Sequence, residues 1–516
     1  MPEPHPEYLC QSSSGWIGPK RISPYTVDEL LRMPAKNCAK KLADFHQTPG
    51  ENNPNWLGLQ DNVESASQKN PQWGYNLAEE FIRTGNAAPP LWGALLAGWP
   101  ISSQEDKQYA MMLSILDSPV LHKDYSGKIS CILNKLSETD NATQLIKNLP
   151  KLFDIAKKIW GMLDHERENN SVCDWHHEAI NHPSGKLTQF LVNSLQALHQ
   201  TRAKPISIDA SECSEFVTSI ITEDSYIGRC SRSILASNLK LLFSIDDKWV
   251  KEELIKYFVF DDETKEQADF LAVWDGLLCA KRCGMSPEVA KILKGSMMNG
   301  MRYFLSYHTG KRVENFMDCY LCMIASTLKE EDIRKKWLIA VFECDEGKNI
   351  KTFFSAIIDI LEHGSDNVHL ECWEHFIKPY MKYRFVFQSS RLSGEEMCSF
   401  LRVICHLRCC FSRAVELLTS EGHNVKSWLC SHLLTSSETG DDGLHKQFSR
   451  LRSLLEIDHE NLAKFIIYVY SDKMHESTSY AASELFGIIK ELKEKDFSDE
   501  TIPGQLSNIG EIAVGV

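Results

Sequence analysis

Glycine and proline are scarce in this chain of 516 residues, which has 27 Gly and 19 Pro. Folds built from hairpins and tight turns need more of both, because glycine supplies positive φ angles and proline fixes turn geometry. Alternating strand patterns are also scarce, and the best candidate, Arg384 to Phe387, is short. The sequence therefore disfavours a β-rich fold.

The chain lacks an apolar run long enough for a membrane helix. The longest run near the N-terminus, Leu91–Ile101, is about half of the ~20 residues that a bilayer requires. The first residues, from Met1 to Pro6, have neither the basic start nor the apolar stretch of a secretory signal. The 17 cysteines, an odd number spread from Cys10 to Cys430, suit free thiols in a reducing compartment. We therefore expect a cytoplasmic protein with no membrane partner.

Positive charge is in the minority, with 56 Lys and Arg against 70 Asp and Glu and a net charge of −14. This balance argues against a protein whose whole surface binds nucleic acid or anionic lipid. One region differs, because Lys378–Arg413 holds seven basic and two acidic residues. Aromatic residues interleave its first basic positions, an arrangement that can follow a phosphate backbone and stack bases. We identify Lys378, Lys382, Tyr383 and Arg384 as the candidate surface for nucleic acid or an acidic partner.

Helical patterns dominate the rest of the chain. Thr26 and Glu29 have the spacing of a capping box, which opens a helix over Asp28–Met33. Apolar stripes at helical spacing follow at many positions. They include Asn141–Asp164, Gly185–Thr201, Ser231–Phe243, Leu328–Glu343, Lys351–Glu362 and Gly394–Thr419. We predict an all-α fold, an irregular helical array that is solenoid-like in its packing but has no strict repeat.

Three polar stretches suggest how the array divides. We predict an N-terminal helical region over 1–170 that contains a polar linker at 47–72, a central helical array over 171–434, and a C-terminal helical region over 435–516. Long polar connections are typical of domain limits. A compact pair of helical domains is the alternative.

Two stretches carry a resemblance to a bacterial family. The first is Ala179-Ile-Asn-His-Pro-Ser-Gly-Lys-Leu187. The second is Ser231-Arg-Ser-Ile-Leu-Ala-Ser-Asn-Leu-Lys-Leu-Leu-Phe243, followed by Trp249, Phe258-Val-Phe-Asp261, Ala268 and Trp274-Asp-Gly-Leu-Leu278. Together they resemble the uncharacterised helical C-terminal domain that is attached to sirtuin-like domains in bacterial anti-phage defence proteins. The similarity runs from about Trp16 to about Leu418 and is specific only at these two stretches.

The resemblance implies a context rather than a reaction. In that family the sirtuin-like part is thought to consume NAD once infection is sensed, and the helical part to sense, scaffold or restrain it. A sirtuin-like domain needs a Gly-rich turn after a strand to bring backbone donors to the cofactor's phosphates, and this chain has no G-x-G-x-x-G. The chain is then a stand-alone relative of the helical part, or its catalytic half is encoded separately or lost. We predict no cofactor.

The densest set of metal-ligand residues lies in the predicted loop Cys173–His182. Cys173 and His176 have a spacing that zinc sites use, and His177 and His182 could complete a tetrahedral set. A loop whose histidines bond backbone groups is the alternative, and we favour it because no second paired element is near. The same loop would be the centre of the protein if it were an enzyme of unrecognised type.

The segment that follows could hold an anion. Asn181, Ser184, Gly185 and Lys186 surround a predicted helix start, where Asn or Ser can cap, free N–H groups point outward, and a lysine lies beside them. A helix start that binds nothing, with Gly185 allowing close packing, explains the same residues and is the interpretation we favour. Three cysteine pairs at helical spacing, including Cys405 and Cys409, are interpreted as buried thiols.

The sequence predicts a non-catalytic protein that binds another macromolecule through helical surfaces. The resemblance adds that this is the sensor or scaffold of an anti-phage system, with a sirtuin-like effector or a phage component as protein partner. The alternatives are an enzyme centred on Cys173–His182 and a nucleic-acid-binding module that uses Lys378–Arg413.

Overall fold

The structure is a computed structural model of the chain. It describes residues 20–47, 49–50, 52–85, 89–99, 106–138, 142–165, 174–201, 206–260, 267–279, 287–308, 310–327, 350–387, 394–421, 440–470 and 479–514. Helices account for 82% of the structure, and the described residues contain no strand. The predicted all-α class is confirmed, and the solenoid-like packing stays a prediction. Among the described helices, none is both long and apolar enough to cross a membrane.

The chain forms two compact units. The first comprises Met1–Leu254 and Leu271–Leu277, and the second comprises Ile255–Phe270 and Leu278–Val516. This division falls inside the predicted central region 171–434. The limits that we predicted at 170 and 434 lie outside the described residues and stay predictions.

The described helices of the first unit succeed one another with mostly short connections. They are α1 Val27–Arg32, α2 Ala35–Ala43, α3 Trp56–Lys69, α4 Pro71–Thr84, α5 Pro89–Ala97, α6 Asp106–Leu116, α7 Pro119–Ser137, α8 Ala142–Trp160, α9 Trp175–Asn181, α10 Pro183–Thr201, α11 Ser214–Ile221, α12 Tyr226–Ser237, α13 Leu239–Ile245 and α14 Asp247–Trp249, with a 3₁₀ turn at Ile208–Ala210 and a π-helical segment at Val250–Leu254. Helix α15, Gln267–Cys279, contributes its middle residues to this unit.

The second unit begins with the 3₁₀ turn Ile255–Phe258. Its described helices are α16 Pro287–Tyr307, α17 Lys311–Thr327, α18 Ile350–His363, α19 Asp366–Cys372, α20 Lys378–Met381, α21 Gly394–His406, α22 Phe411–Glu421, α23 Gly440–Ile457, α24 His459–Tyr470, α25 Ser479–Lys493 and α26 Ile502–Val514. The π-helical segment Trp373–Ile377 joins α19 to α20, and a second π-helical segment, Lys382–Phe387, follows α20 in the same helical run.

Local sequence signals explain where the first helices begin. Thr26 accepts the backbone N–H of Glu29, and the Glu29 carboxylate accepts that of Thr26, so the predicted capping box is confirmed at the start of α1. The predicted linker 47–72 is wrong over most of its length, because it contains α3 and the start of α4. Asn55 and Asn70 cap these two helices. The side chain of a capping Asn accepts a backbone N–H at the helix start, and polar composition alone does not distinguish such a cap from a loop residue.

Two predicted stripes prove to be two helices each. Ser231–Phe243 is divided at Asn238, between α12 and α13, and Gly394–Thr419 is divided by a turn over residues 407–410, between α21 and α22. An apolar stripe continues across such a break because the helices before and after it each bury an apolar face. The predicted stripe Leu328–Glu343 lies outside the described residues.

The best candidate for a strand, Arg384–Phe387, does not form one. These residues belong to the π-helical segment Lys382–Phe387. Pro379 lies a few residues earlier, in α20, and its missing N–H interrupts the regular helical hydrogen bonds. A π segment absorbs such an interruption while the chain stays helical.

Candidate functional site

The segment that we predicted as the loop Cys173–His182 is mostly helix. Asp174 caps α9, because its carboxylate accepts the backbone N–H groups of His176 and His177 at 2.9 and 3.0 Å. The loop prediction is therefore wrong from Trp175 onward. Cys173 itself lies outside the described residues.

The three described candidates for metal ligation differ in their surroundings. His177 is exposed, while His176 is half-buried and burial lowers its pKa. The His182 Nδ1 atom lies 2.8 Å from the Ser184 Oγ and accepts the Ser184 backbone N–H at 3.2 Å. Within the described part of the chain, no three His, Cys, Asp or Glu side chains come together as a metal site requires. The full zinc set stays untested because it includes Cys173.

The candidate anion site is a helix start whose donors have partners inside the protein. His182 caps α10 through its ring, where we had suggested Asn or Ser. Ser184 is buried, and the Lys186 backbone N–H donates to the His182 carbonyl oxygen at 3.1 Å. Asn181 is exposed and its amide donates to the His177 carbonyl oxygen at 3.0 Å. These bonds favour a packed helix start.

Glycines let three pairs of segments in this region approach closely. A Cβ atom added at any of them would lie within about 2 Å of a carbonyl oxygen, far inside contact distance. The pairs are Gly185 with the Ala179 carbonyl (1.8 Å), Gly228 with that of Glu223 (1.8 Å) and Gly276 with that of Ser233 (2.0 Å). The interpretation of Gly185 as a packing residue agrees with this geometry.

A buried polar cluster lies between these close approaches, where α9, α10, α12 and α15 meet. The Tyr226 hydroxyl donates to the Glu178 carboxylate at 2.6 Å. The Tyr226 ring packs against His182, with ring centres 5.3 Å apart, and against Trp175, with ring centres 5.5 Å apart. The Trp175 backbone N–H donates to the Asp275 carboxylate at 2.9 Å. Polar side chains from three parts of the sequence thus join the helices.

Arg232 is fully buried beside this cluster. Its Nη1 atom donates to the carbonyl oxygens of Ile221 and Glu223, at 3.1 and 2.7 Å. These carbonyls lie at the C-terminal end of α11, where helices leave acceptors without partners and carry partial negative charge. The guanidinium therefore fastens α12 to the end of α11.

The stretches that carry the family resemblance meet in this part of the first unit. Ala179–Leu187 supplies the end of α9 and the start of α10, Ser231–Phe243 supplies most of α12 and α13, and Trp274 and Gly276 come from α15. Trp274 is fully buried. Several of the motif residues thus belong to an interhelical core. Sequence reasoning missed Tyr226 and Glu178, since their contact joins residues 48 positions apart.

A second buried polar cluster lies in the second unit. The Arg384 guanidinium donates to both carboxylate oxygens of Glu396, through Nε at 2.7 Å and Nη2 at 2.5 Å. The Tyr380 hydroxyl donates to the same carboxylate at 2.8 Å. The side chains of Arg384 and Glu396 are only 5% and 0% exposed. Burial and the Glu396 charge raise the pKa of Tyr380 well above its ordinary value.

This cluster corrects the predicted binding surface. Arg384 is not a surface residue, because its charge is neutralised by Glu396 inside the unit. Lys378 forms an ion pair with Glu374 at 2.7 Å, while Lys382 is exposed and Tyr383 is half-buried. The four residues do not form one charged surface.

Comparison with known proteins gave no match to a family model, a curated protein or a solved structure. Nothing in these comparisons bears on the sirtuin-associated helical family.

Proposed function

We propose that this chain is a non-catalytic sensor or scaffold of a bacterial anti-phage defence system, and that it binds another macromolecule through its helical surfaces. The observation that carries the non-catalytic part is that three buried charged side chains are engaged within the fold. Arg232, Asp275 and Glu396 each bond a backbone group or a neighbouring side chain, and each is nearly or fully buried. A catalytic acid, base or cation has to reach a substrate.

The resemblance supports the defence context. Its two stretches contribute to one buried centre of the first unit, as expected if they record how the helices pack rather than a reaction. We infer that a protein whose motif residues pack helices together acts through the surface that those helices present. We therefore propose a protein partner, namely a sirtuin-like effector whose NAD consumption this chain restrains or triggers, or a phage component that it senses.

The enzyme alternative loses support from the site geometry. His182, which would have belonged to its centre, caps α10, and Asp174 caps α9. The nucleic-acid alternative loses support because Arg384, one of its candidate residues, forms an ion pair with Glu396 in the interior of the second unit.

The test begins with the DNA that adjoins the coding sequence. If it encodes a sirtuin-like protein, the intact locus and a locus that lacks this chain are introduced into a susceptible host and challenged with phage. We expect the intact locus alone to reduce plaque formation, with the NAD level changing after infection. Equal protection and equal NAD changes from both loci would contradict the proposal, and a locus that encodes no sirtuin-like protein would leave a phage component as the proposed partner.

A further inference from the structure

Two adjacent cysteines lie in the turn between α21 and α22. The Cys409 and Cys410 sulfur atoms are 3.8 Å apart. In an α-helix, neighbouring side chains point about 100° apart and do not meet. The backbone at residues 407–410 is a turn, so the two thiols can face each other. Cys409 is exposed and Cys410 is buried.

Both thiols hold this turn against α19. The Cys409 thiol donates to the Asp366 carbonyl oxygen at 3.5 Å, and the Cys410 thiol donates to the His369 carbonyl oxygen at 3.8 Å. The Arg408 backbone N–H adds a bond to His369 Nδ1 at 3.3 Å. The two sulfur contacts need a hydrogen on sulfur, and a disulfide has none.

We propose that Cys409 and Cys410 form a redox-sensitive pair, which a peroxide converts into a vicinal disulfide that weakens the attachment of the turn to α19. The sulfurs lie 3.8 Å apart, so bond formation requires rotation of both side chains and an adjustment of the turn backbone, because adjacent Cα atoms lie closer together than those of most disulfides. The loss of both S–H donors removes two of the three bonds described above. The turn would then stay attached to α19 through the Arg408 N–H.

The two cysteines have different parts in the reaction. The exposed Cys409 thiolate attacks one peroxide oxygen, the O–O bond breaks, and the departing hydroxide takes up a proton to become water. The Cys410 sulfur then attacks the Cys409 sulfur of the sulfenic acid. The S–S bond forms, the S–O bond breaks, and the hydroxide that leaves takes the Cys410 proton as a second water. Two thiols are oxidised, and one peroxide is reduced to two waters.

Burial determines which sulfur attacks the peroxide and which attacks the sulfenic acid. It raises the pKa of Cys410 to about 12, so this sulfur keeps its proton until its neighbour has been oxidised. Cys405, one helical turn earlier in α21, is also buried, and its pKa is raised to about 12. Among the described side chains, Cys405 makes no contact with another cysteine like the one between Cys409 and Cys410, and it is therefore the matched control.

The test treats the full chain with hydrogen peroxide, blocks remaining thiols by alkylation, and maps the cysteines by mass spectrometry. We expect the peptide that contains Cys409 and Cys410 to lose two hydrogens and to resist alkylation, with both changes reversed by dithiothreitol. Cys405→Ala should leave this result unchanged. Cys409→Ser and Cys410→Ala should each abolish it.

A second measurement follows the structural consequence. Amide hydrogen exchange over α19 should become faster after oxidation in the unaltered protein and should change less on oxidation of Cys410→Ala, in which Cys409 has no neighbouring thiol to pair with. The proposal is overturned if Cys409 is oxidised to sulfinic acid while Cys410 stays alkylatable, if Cys409 pairs with another cysteine or a second chain, or if α19 exchanges at the same rate in both redox states.

Discussion

Replacing Glu396 by Gln should destabilise the second unit strongly. The change keeps the side-chain volume and removes the charge that Arg384 requires, and both side chains are buried. Breaking a buried ion pair by removing one partner costs about 3–5 kcal/mol, because the remaining charge stays in the protein interior without a counterion. A unit of this size loses about 2–4 °C in melting temperature per kcal/mol, so we expect a decrease of roughly 6–20 °C.

The assay is differential scanning calorimetry of the full chain, combined with hydrogen exchange over residues 373–387 and 394–406. Local exchange assigns the affected transition to the second unit, which matters because two units need not unfold together. Glu374→Gln is the matched control, since it breaks the partly exposed pair with Lys378 at 2.7 Å. Exposed pairs contribute about 0–1 kcal/mol, so its melting temperature should change by only a few degrees.

A triple replacement separates the charge from the packing. Arg384→Met, Glu396→Leu and Tyr380→Phe together replace the polar cluster with apolar side chains of similar size. Since no buried charge or hydroxyl loses its partner, we expect most of the lost stability to return.

A Glu396→Gln protein that melts within about 2 °C of the unaltered chain would refute the reasoning, because less than about 1 kcal/mol would then depend on the pair.

Three further predictions concern other parts of the chain. Gly185→Ala should destabilise the first unit by about 1–3 kcal/mol or more in urea unfolding, because its Cβ would meet the Ala179 carbonyl, whereas Gly93→Ala, in the open part of α5, should stabilise it by about 0.5–1 kcal/mol. Burial and the Arg408 charge lower the pKa of His369, so the second unit should lose stability as the pH falls below the unfolded value of about 6.5, and His369→Gln should flatten this dependence in thermal melts. Replacing Lys378 and Lys382 with Ala should leave DNA binding at physiological salt unchanged, with no submicromolar affinity for single-stranded or duplex DNA before or after the change.

For each of these predictions, one experimental outcome would contradict it. Equal unfolding midpoints for the two glycine variants would mean that the close approach at Gly185 relaxes at little cost. For His369, the neutral ring donates from Nε2 to the Leu361 carbonyl at 3.1 Å and accepts the Arg408 N–H at Nδ1, so a second ring proton would remove that acceptor. An unchanged pH slope in His369→Gln would show that other groups set it. Submicromolar DNA binding lost on replacing both lysines would restore the nucleic-acid alternative.

Much of the fold could be predicted from apolar spacing, because a helix that buries one face repeats its apolar residues every three to four positions. The capping box at Thr26 could be predicted for a similar reason, since both of its partners lie within one turn. Asn55 and Asn70 carried the same kind of signal. Because the residues around them are also polar, composition alone led us to predict a linker at 47–72, where the structure has helices.

The sites were less predictable because their contacts join distant residues. Arg384 has the same local sequence whether it faces solvent or Glu396, and only the packing of α21 against the preceding helical run decides between these states. Likewise, nothing near His182 in the sequence showed that its ring would cap α10. One local signal was available at Asp174, whose position before Trp175 suits a helix cap.

We propose that this chain does no chemistry of its own and binds a macromolecular partner, and a sirtuin-like effector encoded beside it is the partner that can be tested most directly. The most direct measurement is NAD turnover by the purified chain alone, by the sirtuin-like protein encoded beside it, and by the two together. We predict no turnover by the chain alone and a rate for the mixture that differs from that of the partner. NAD turnover by the chain alone that persists through purification, or a mixture that behaves as the partner does by itself, would contradict the account.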